Sequence, residues 1–156
     1  MPSRSEGFRK LARPSVLILL GALAFGGYVA WLTLDTVRQA PAREASAELP
    51  GFGLVRLRFT TDPFPALPTG TVRLTFTPSD PRNTPLVLDR LSFTFGRRGS
   101  DEPDGAGEAQ PTLDGTGTYT SGVQFATAGE WWIRVHLERA GQQAQFAFTV
   151  LVEPAQ

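Results

Sequence analysis

The spacing of hydrophobic residues in this chain changes near residue 50. Residues 15–34 form an apolar run of twenty positions without a charge, whereas from Gly53 onward apolar and polar residues alternate between glycines and prolines. A helix of twenty residues is about 30 Å long, which matches the hydrocarbon thickness of a bilayer. Alternation with a period of two is typical of strands that are buried on one face. The sequence therefore predicts one N-terminal transmembrane helix followed by an all-β domain.

The clearest predicted strands alternate an apolar residue with a polar one. Their expected inward residues are Val55, Leu57 and Phe59; Val72, Leu74 and Phe76; Trp131, Ile133, Val135 and Leu137; and Phe146, Phe148, Val150 and Val152. The odd spacing between Leu88 and Leu91 implies a bulge or two short strands, and a further strand near Tyr119 has an uncertain register. Six or seven short strands of this kind predict an immunoglobulin-like antiparallel β-sandwich.

A basic cluster precedes the apolar run and sets the expected orientation of the protein. Under the positive-inside rule, lysines and arginines that flank a span stay in the cytoplasm. Residues 1–14 are therefore expected there, 15–34 in the bilayer, 35–52 in a linker, and 53–153 in a folded domain outside the cytoplasm. The residues expected at the membrane interface are Arg9, Lys10 and Arg13 before the run, and Tyr28 and Trp31 in its last two turns.

A cleaved signal peptide is the alternative interpretation of the N-terminal segment. Ala22, Leu23 and Ala24 have the small-x-small pattern of a cleavage site. Cleavage there leaves a short apolar core before the site and an apolar stub on the mature chain. An uncleaved anchor accounts for the whole run, so we expect a single-pass protein of the cell membrane.

The composition excludes several classes of function. The chain has 156 residues, no cysteine, and 15 basic and 15 acidic residues, so its formal net charge is zero. Without cysteine there are no disulfides, thiolate metal sites or thiol catalysis. Without a basic patch there is no electrostatic footprint for nucleic acid. The expected partners are the lipid bilayer and a membrane protein, and nucleic acid is not among them.

No arrangement of catalytic or cofactor-binding residues emerges from the sequence. The single histidine, His136, has no nucleophile elbow or oxyanion-hole pattern near it. Gly105 and Gly107 lie in a predicted turn and open no helix, so a phosphate-binding loop is not predicted. The acidic loop at 100–108 lacks the spacing of an EF-hand. We expect a protein that is not an enzyme and that holds no cofactor or metal.

Four residues on the last two strands are candidates for contact with a partner. If Trp131 points into the core, Trp132 points outward and forms an apolar patch with Leu151 on the neighbouring strand. Alternatively, a loop or the chain before Gly53 covers Trp132, and His136 is an ordinary surface residue. The candidate partner-contact residues are Trp132, Arg134, His136 and Leu151.

One segment carries a resemblance to a known family. Gly115-Thr116-Gly117-Thr118-Tyr119 leads through Ala128-Gly129-Glu130-Trp131 into Ile133-Arg134-Val135. This resembles the closing half of YtkA-like and FixH-like domains, in which a Gly-x-Tyr strand leads through an Ala-Gly-x-Trp turn into the penultimate strand. The resemblance covers residues 115–152. It implies a membrane-anchored immunoglobulin-like domain with an accessory role near a respiratory oxidase or in copper handling.

The chain departs from that family in its metal ligands. Relatives often carry Met and His before the Gly-x-Tyr segment, and these side chains suit copper. The equivalent stretch here, residues 93–99, contains neither, and the only Met and His of the chain are Met1 and His136. The sequence therefore predicts an accessory or assembly subunit of a membrane complex. A copper carrier and an envelope ligand-binding module are the alternatives.

Overall fold

The computed structural model describes Gly27 and residues 41–154. The chain divides into two compact units, Met1–Gln39 and Ala40–Gln156. Of the predicted span at 15–34 only Gly27, which is helical, is described. Among the described residues no helix has the length and hydropathy needed to cross a bilayer. The predicted membrane-interface residues Arg9, Lys10, Arg13, Tyr28 and Trp31 lie outside the described residues.

Residues 41–154 form an all-β domain of nine strands in two antiparallel sheets. Sheet A has the order β1-β2-β3-β7-β6, and sheet B has the order β5-β4-β8-β9. The two sheets share one core, so the domain is a β-sandwich. The strands are β1 Arg43–Leu49, β2 Gly53–Asp62, β3 Val72–Ser79, β4 Arg90–Arg97, β5 Gly105–Glu108, β6 Gln110–Pro111, β7 Tyr119–Val123, β8 Gly129–Arg139 and β9 Gln142–Val152.

The core lies between the apolar faces of the two sheets. Every residue that the alternation predicts to face inward on β2, β3, β8 and β9 is buried, which confirms those four faces. Phe59 of β2 contacts Phe76 of the same sheet and Phe148 of the other, with ring centroids 5.3 and 4.9 Å apart. Burying a side chain of this size contributes about 1.5–3 kcal/mol before entropy is subtracted. Aromatic contacts therefore join the two sheets.

The domain begins earlier than the sequence predicts. Arg43–Leu49, inside the predicted linker, is strand β1, and it pairs with β2 along its whole length. Ala45, Ala47 and Leu49 face inward, but alanine buries little apolar surface, so the alternation gives a weak signal. The folded domain therefore starts at β1 instead of at Gly53.

Sheet B also contains a strand that the sequence assigns to a turn. Gly105–Glu108 is strand β5 and pairs with β4. The rings of Phe93 and Phe95 lie over Gly107 and Gly105, where an added Cβ would be 2.6 Å from the Cζ atom of each ring. Glycine at both positions thus lets β5 approach two aromatic side chains of β4. Neither contact is visible in the sequence pattern of β5 itself.

The odd spacing of Leu88 and Leu91 marks the entrance to β4. Leu88 precedes the strand, and its backbone N–H donates to the Tyr119 hydroxyl at 2.8 Å. Leu91 is the first inward residue of β4, and both leucines are buried. The change of face therefore occurs at a bend at Asp89, directly before a single strand, where the sequence predicts a bulge or two short strands.

Candidate functional site

Trp132 lies on the outer face of sheet B. Its neighbour Trp131 is 1% exposed in the core, so alternation along β8 turns Trp132 to the opposite face. In the sheet register Trp132 pairs with Gly96 on β4 and with Thr149 on β9. The ring is half-buried. It is therefore held against the sheet surface instead of projecting freely into solvent.

The indole can lie against β4 because residue 96 is glycine. A Cβ at Gly96 would lie 2.5 Å from Cζ2 of Trp132 and 2.9 Å from the backbone oxygen of Glu102. Both distances are far below ordinary van der Waals contact, which is about 3.5–4.0 Å between carbon atoms. The missing side chain therefore provides the space that the ring occupies.

Two polar contacts fix the orientation of this ring. The indole Nε1–H donates a hydrogen bond to the backbone oxygen of Ser100 at 2.8 Å. The guanidinium carbon of Arg134 lies 4.4 Å from the ring centroid, a cation–π contact that contributes about 0.5–1 kcal/mol at an exposed site. The loop at Ser100 and the Arg134 side chain thus cover much of the surface that the sequence predicts as an apolar patch.

The other two candidate residues differ in how near they lie to Trp132. Leu151 on β9 is 51% exposed, and it lies two residues beyond Thr149, the register partner of Trp132, so it is a diagonal neighbour of Trp132 on the same face. His136 is four residues further along β8 than Trp132, a separation of about 13 Å at about 3.3 Å per residue. It lines a shallow groove of about 200 Å³ with Arg90 and Ser92. The structure therefore brings Trp132 and Arg134 into contact, places Leu151 diagonally beside Trp132, and leaves His136 apart from them.

The arginines of sheet B all have partners. Each of the five, on β4, on β8 or directly after β4, forms an ion pair or lies over an aromatic ring. The ion pairs are Arg90 with Glu108, Arg97 with Asp104 and Arg98 with Glu130, and the stacked arginines are Arg134 on Trp132 and Arg139 on Phe52. The acidic residues near 100–108 thus serve in part as counter-ions. Within residues 41–154, no three His, Asp or Glu side chains gather in a group that could hold a metal ion.

A second surface, for which the sequence predicts no role, lies on the outer face of sheet A. We call it the sheet A groove, and its volume is about 400 Å³. Arg56 and Arg58 project from β2, and in the sheet register they stand opposite Ser79 and Thr77 of β3. The groove is lined by Glu44, Arg56, Arg58, Thr77, Ser79, Asn83 and Pro85. The available sequence signal is a pair of arginines two residues apart in an alternating strand.

The turn after β3 supports the rim of the sheet A groove. The Asp80 carboxylate accepts hydrogen bonds from the backbone N–H groups of Arg82 and Thr84, both at 2.8 Å. These bonds hold the pKa of Asp80 below its ordinary value, and the bond from Thr84 has the largest effect. The turn presents Asn83 in a left-handed conformation, with φ of 62°, where its side-chain oxygen accepts a bond from Arg56 at 3.3 Å.

Comparison of the chain with known proteins finds no relative: no family model, no curated protein and no solved structure matches it. The similarity of residues 115–152 to YtkA-like and FixH-like domains therefore stays a prediction from the sequence.

Proposed function

We propose that this chain is a non-catalytic, single-pass membrane protein that presents its β-sandwich outside the cytoplasm. In this proposal it acts as an accessory or assembly subunit of a membrane complex, of the respiratory kind in which FixH-like proteins act. The observation that carries the proposal is the uncharged run at 15–34, followed after eight residues by β1. Eight extended residues span at most about 28 Å. A domain on so short a tether stays beside the lipid and its embedded partners.

The order of the strands supports the immunoglobulin-like part of the proposal. Within sheet A the order β2-β3-β7-β6, and within sheet B the order β5-β4-β8-β9, correspond to A-B-E-D and C′-C-F-G of immunoglobulin sandwiches. β1 is then an additional edge strand at the N-terminus. This assignment agrees with the fold that the resemblance of residues 115–152 implies.

The outer face of sheet B supports a role in protein contact. Trp and Arg are the residue types most enriched at positions that dominate binding energy in interfaces. Trp132 is held by its bond to Ser100, and Arg134 is stacked on its ring, so the indole has little side-chain entropy left to lose on binding. We propose that this stack contacts the membrane-protein partner, with Leu151 beside it.

A topology experiment tests the anchored orientation. The full chain is fused at its C-terminus to a reporter that is active only outside the cytoplasm, and in parallel to one that is active only inside. We expect activity from the first fusion alone, in the membrane fraction and at the full length of the chain. Activity from the cytoplasmic reporter, or a shortened protein released from the membrane, would contradict the proposal.

A copurification experiment tests the contact surface. The full chain is isolated in a mild detergent, and we expect a membrane protein to accompany it in fixed stoichiometry. Arg134→Gln and Trp132→Ala should reduce that recovery, whereas Val87→Ala, at a 74% exposed position outside the two sheets, should not. Recovery of a clean monomer from the unaltered chain would sink the accessory role. An equal loss of partner recovery in the Val87 variant would mean that the stack of Trp132 and Arg134 is not the contact surface.

A further inference from the structure

The arginines of sheet A differ from those of sheet B in lacking counter-ions. Arg43, Arg56, Arg58 and Arg73 lie on β1, β2 and β3. Among the described residues, ion pairs form only between side chains on β4, β5 and β8 or in the loop after β4, and none includes these four. Arg56 has one weak neutral partner, Asn83. Sheet A therefore presents positive groups that the domain itself leaves without carboxylate partners.

The sheet A groove collects hydrogen-bond donors around two of these groups. Arg56 and Arg58 are two positions apart on one face of β2, so their Cα atoms are about 6.6 Å apart. Ser79 and Thr77 stand opposite them on β3 and contribute hydroxyl groups. The only carboxylate in the lining is that of Glu44, which pairs with Arg58 in the register of β1. The groove is thus rich in donors and carries a net positive charge.

The floor of the groove is held by the sheet. β2 is hydrogen-bonded to β1 on one side and to β3 on the other. Leu57, between the two arginines, is fully buried in the core. The backbone that carries both guanidinium groups is therefore fixed before a ligand arrives, which lowers the entropic cost of binding.

We propose that the sheet A groove binds an oxyanion, the phosphate or carboxylate group of a ligand, between the guanidinium groups of Arg56 and Arg58. Planar guanidinium groups pair with such oxygens through two parallel N–H···O bonds, and these charge-assisted bonds are stronger than neutral ones. Thr77 and Ser79 offer further donors. The groove, at about 400 Å³, falls in the size range of small-molecule sites. This site is independent of the accessory role proposed above.

The opposite end of the same face provides a contrast. A second groove of about 430 Å³ contains one arginine, Arg73. In the sheet register Arg73 stands opposite Asp62, which also lines that groove. This second groove holds one arginine and one carboxylate and so has no net charge, whereas the sheet A groove holds two arginines and one carboxylate. Arg73 is therefore the matched control for the arginines of the sheet A groove.

The test is a titration of the full chain in a non-ionic detergent at low ionic strength. Inorganic phosphate and citrate are added in separate experiments, and the side-chain Nε–H signals of the arginines are followed by NMR. We expect saturable shifts of the Arg56 and Arg58 signals, with a midpoint of about 1 mM or lower. Saturation by phosphate alone assigns a phosphate ligand, and saturation by citrate alone assigns a carboxylate. Saturation by neither overturns the proposal.

Charge variants should move the titration midpoint in opposite directions, which a purely structural role of these residues would not do. Arg58→Gln and Arg56→Gln should each raise the ligand concentration at the midpoint about tenfold or more, because each removes a charge-assisted pair. Glu44→Gln should lower the midpoint concentration, because a neighbouring negative charge is lost. Arg73→Gln should leave it unchanged. Equal weakening of binding in the Arg73 and Arg58 variants would mean that general surface charge causes the effect, and it would overturn the site. The comparison uses variants that have the same melting temperature as the unaltered chain.

Discussion

The two sheets of the sandwich use arginine in opposite ways. On sheet B each arginine has a carboxylate or an aromatic ring beside it, as Arg90 has Glu108 and Arg134 has Trp132. On sheet A no arginine forms an ion pair within the described residues. A matched charge on the surface contributes little beyond local order, whereas an unmatched one is available to a ligand. Arginines on the two sheets therefore do not have the same role.

The same contrast extends to the uncharged residues of the two sheets. On sheet B aromatic rings lie over glycines, and the clearest case on its outer face is Trp132 over Gly96. On sheet A the middle row of the outer face is Thr60, Thr75 and Thr120, which stand side by side on three strands. One face is thus closed by packing, and the other is an open polar surface.

The largest effect that separates the faces is expected at Gly96. In Gly96→Ala the new methyl group would meet the Trp132 ring and the backbone oxygen of Glu102. The ring can turn only by losing its bond to Ser100, and a backbone atom has no free rotation. We expect a loss of about 1–3 kcal/mol in the free energy of unfolding, as for other overpacked sites. Chemical denaturation of the full chain in detergent measures it.

The matched variant on sheet A is Gly122→Ala. Its methyl group would meet only the Cγ2 atom of Thr71, at 2.8 Å, which is the end of a side chain that can rotate. We expect a loss below about 1 kcal/mol, the cost of an unfavourable rotamer. Equal losses at Gly96 and Gly122 would show that the two faces do not differ in packing.

A smaller effect is expected from the stack of Trp132 and Arg134. In a double-mutant cycle of Trp132→Leu and Arg134→Gln, we expect a coupling free energy of about 0.5–1 kcal/mol, the size of an exposed cation–π contact. Thermal unfolding of the four proteins measures it. The control cycle pairs Arg58→Gln with Thr77→Val on sheet A, where we expect no coupling. A coupling of zero on sheet B would mean that the stack contributes nothing to the fold.

Charge removal should distinguish the faces with a still smaller effect. Arg90→Gln breaks the pair with Glu108, which has an N–O distance of 3.1 Å, and we expect a loss of about 0.2–1 kcal/mol. High salt should reduce that loss by screening the pair. Arg58→Gln removes no ion pair of the described residues, so we expect no loss. Melting temperatures at low and high salt check both, and a loss in Arg58→Gln as large as that in Arg90→Gln would contradict the comparison.

Much of the sandwich could be predicted because alternation records burial directly. β2, β3, β8 and β9 carry large apolar residues at every second position, and all of these are buried. β1 and β5 could not be found in this way, because all of their inward or covered apolar positions except Leu49 hold Ala or Gly. Gly105 and Gly107 pair with β4 and leave room for the rings of Phe95 and Phe93, which lie over them. A strand whose covered positions are glycine has no apolar alternation of its own.

The candidate site also has one part that the sequence predicts and another that depends on strand pairing. The outward direction of Trp132 follows from the inward direction of Trp131, so the sequence is sufficient to predict it. Its contacts with Gly96 and Ser100 depend on the pairing of β4 with β8 and on the loop after β4. The sheet A groove depends likewise on which strand lies beside β2. Strand order is a property of the tertiary fold, and a single sequence with short strands leaves it open.

The smallest expected effect concerns the turn that supports the sheet A groove. Backbone hydrogen bonds, first from Thr84 and then from Arg82, lower the pKa of Asp80. The folded state thus favours the carboxylate, and the unfolded chain binds the proton more readily, near the ordinary value of about 3.9. The stabilisation is therefore present above about pH 4 and is lost as the pH falls through the lower folded pKa. No such pH dependence is expected for the contact of Trp132, because its indole donates to a backbone oxygen that does not titrate in this range.

Amide NMR signals of the full chain measure this titration. We expect the Arg82 and Thr84 amide signals to shift together as the pH is lowered below about 4, while the Trp132 indole signal stays in place. Asp80→Asn keeps an oxygen that accepts the two bonds but has no proton to gain, so the shift should disappear in that variant. A shift of the same size in Asp80→Asn would mean that another group controls the turn. The Asp80 carboxylate would then not be what holds the rim of the groove.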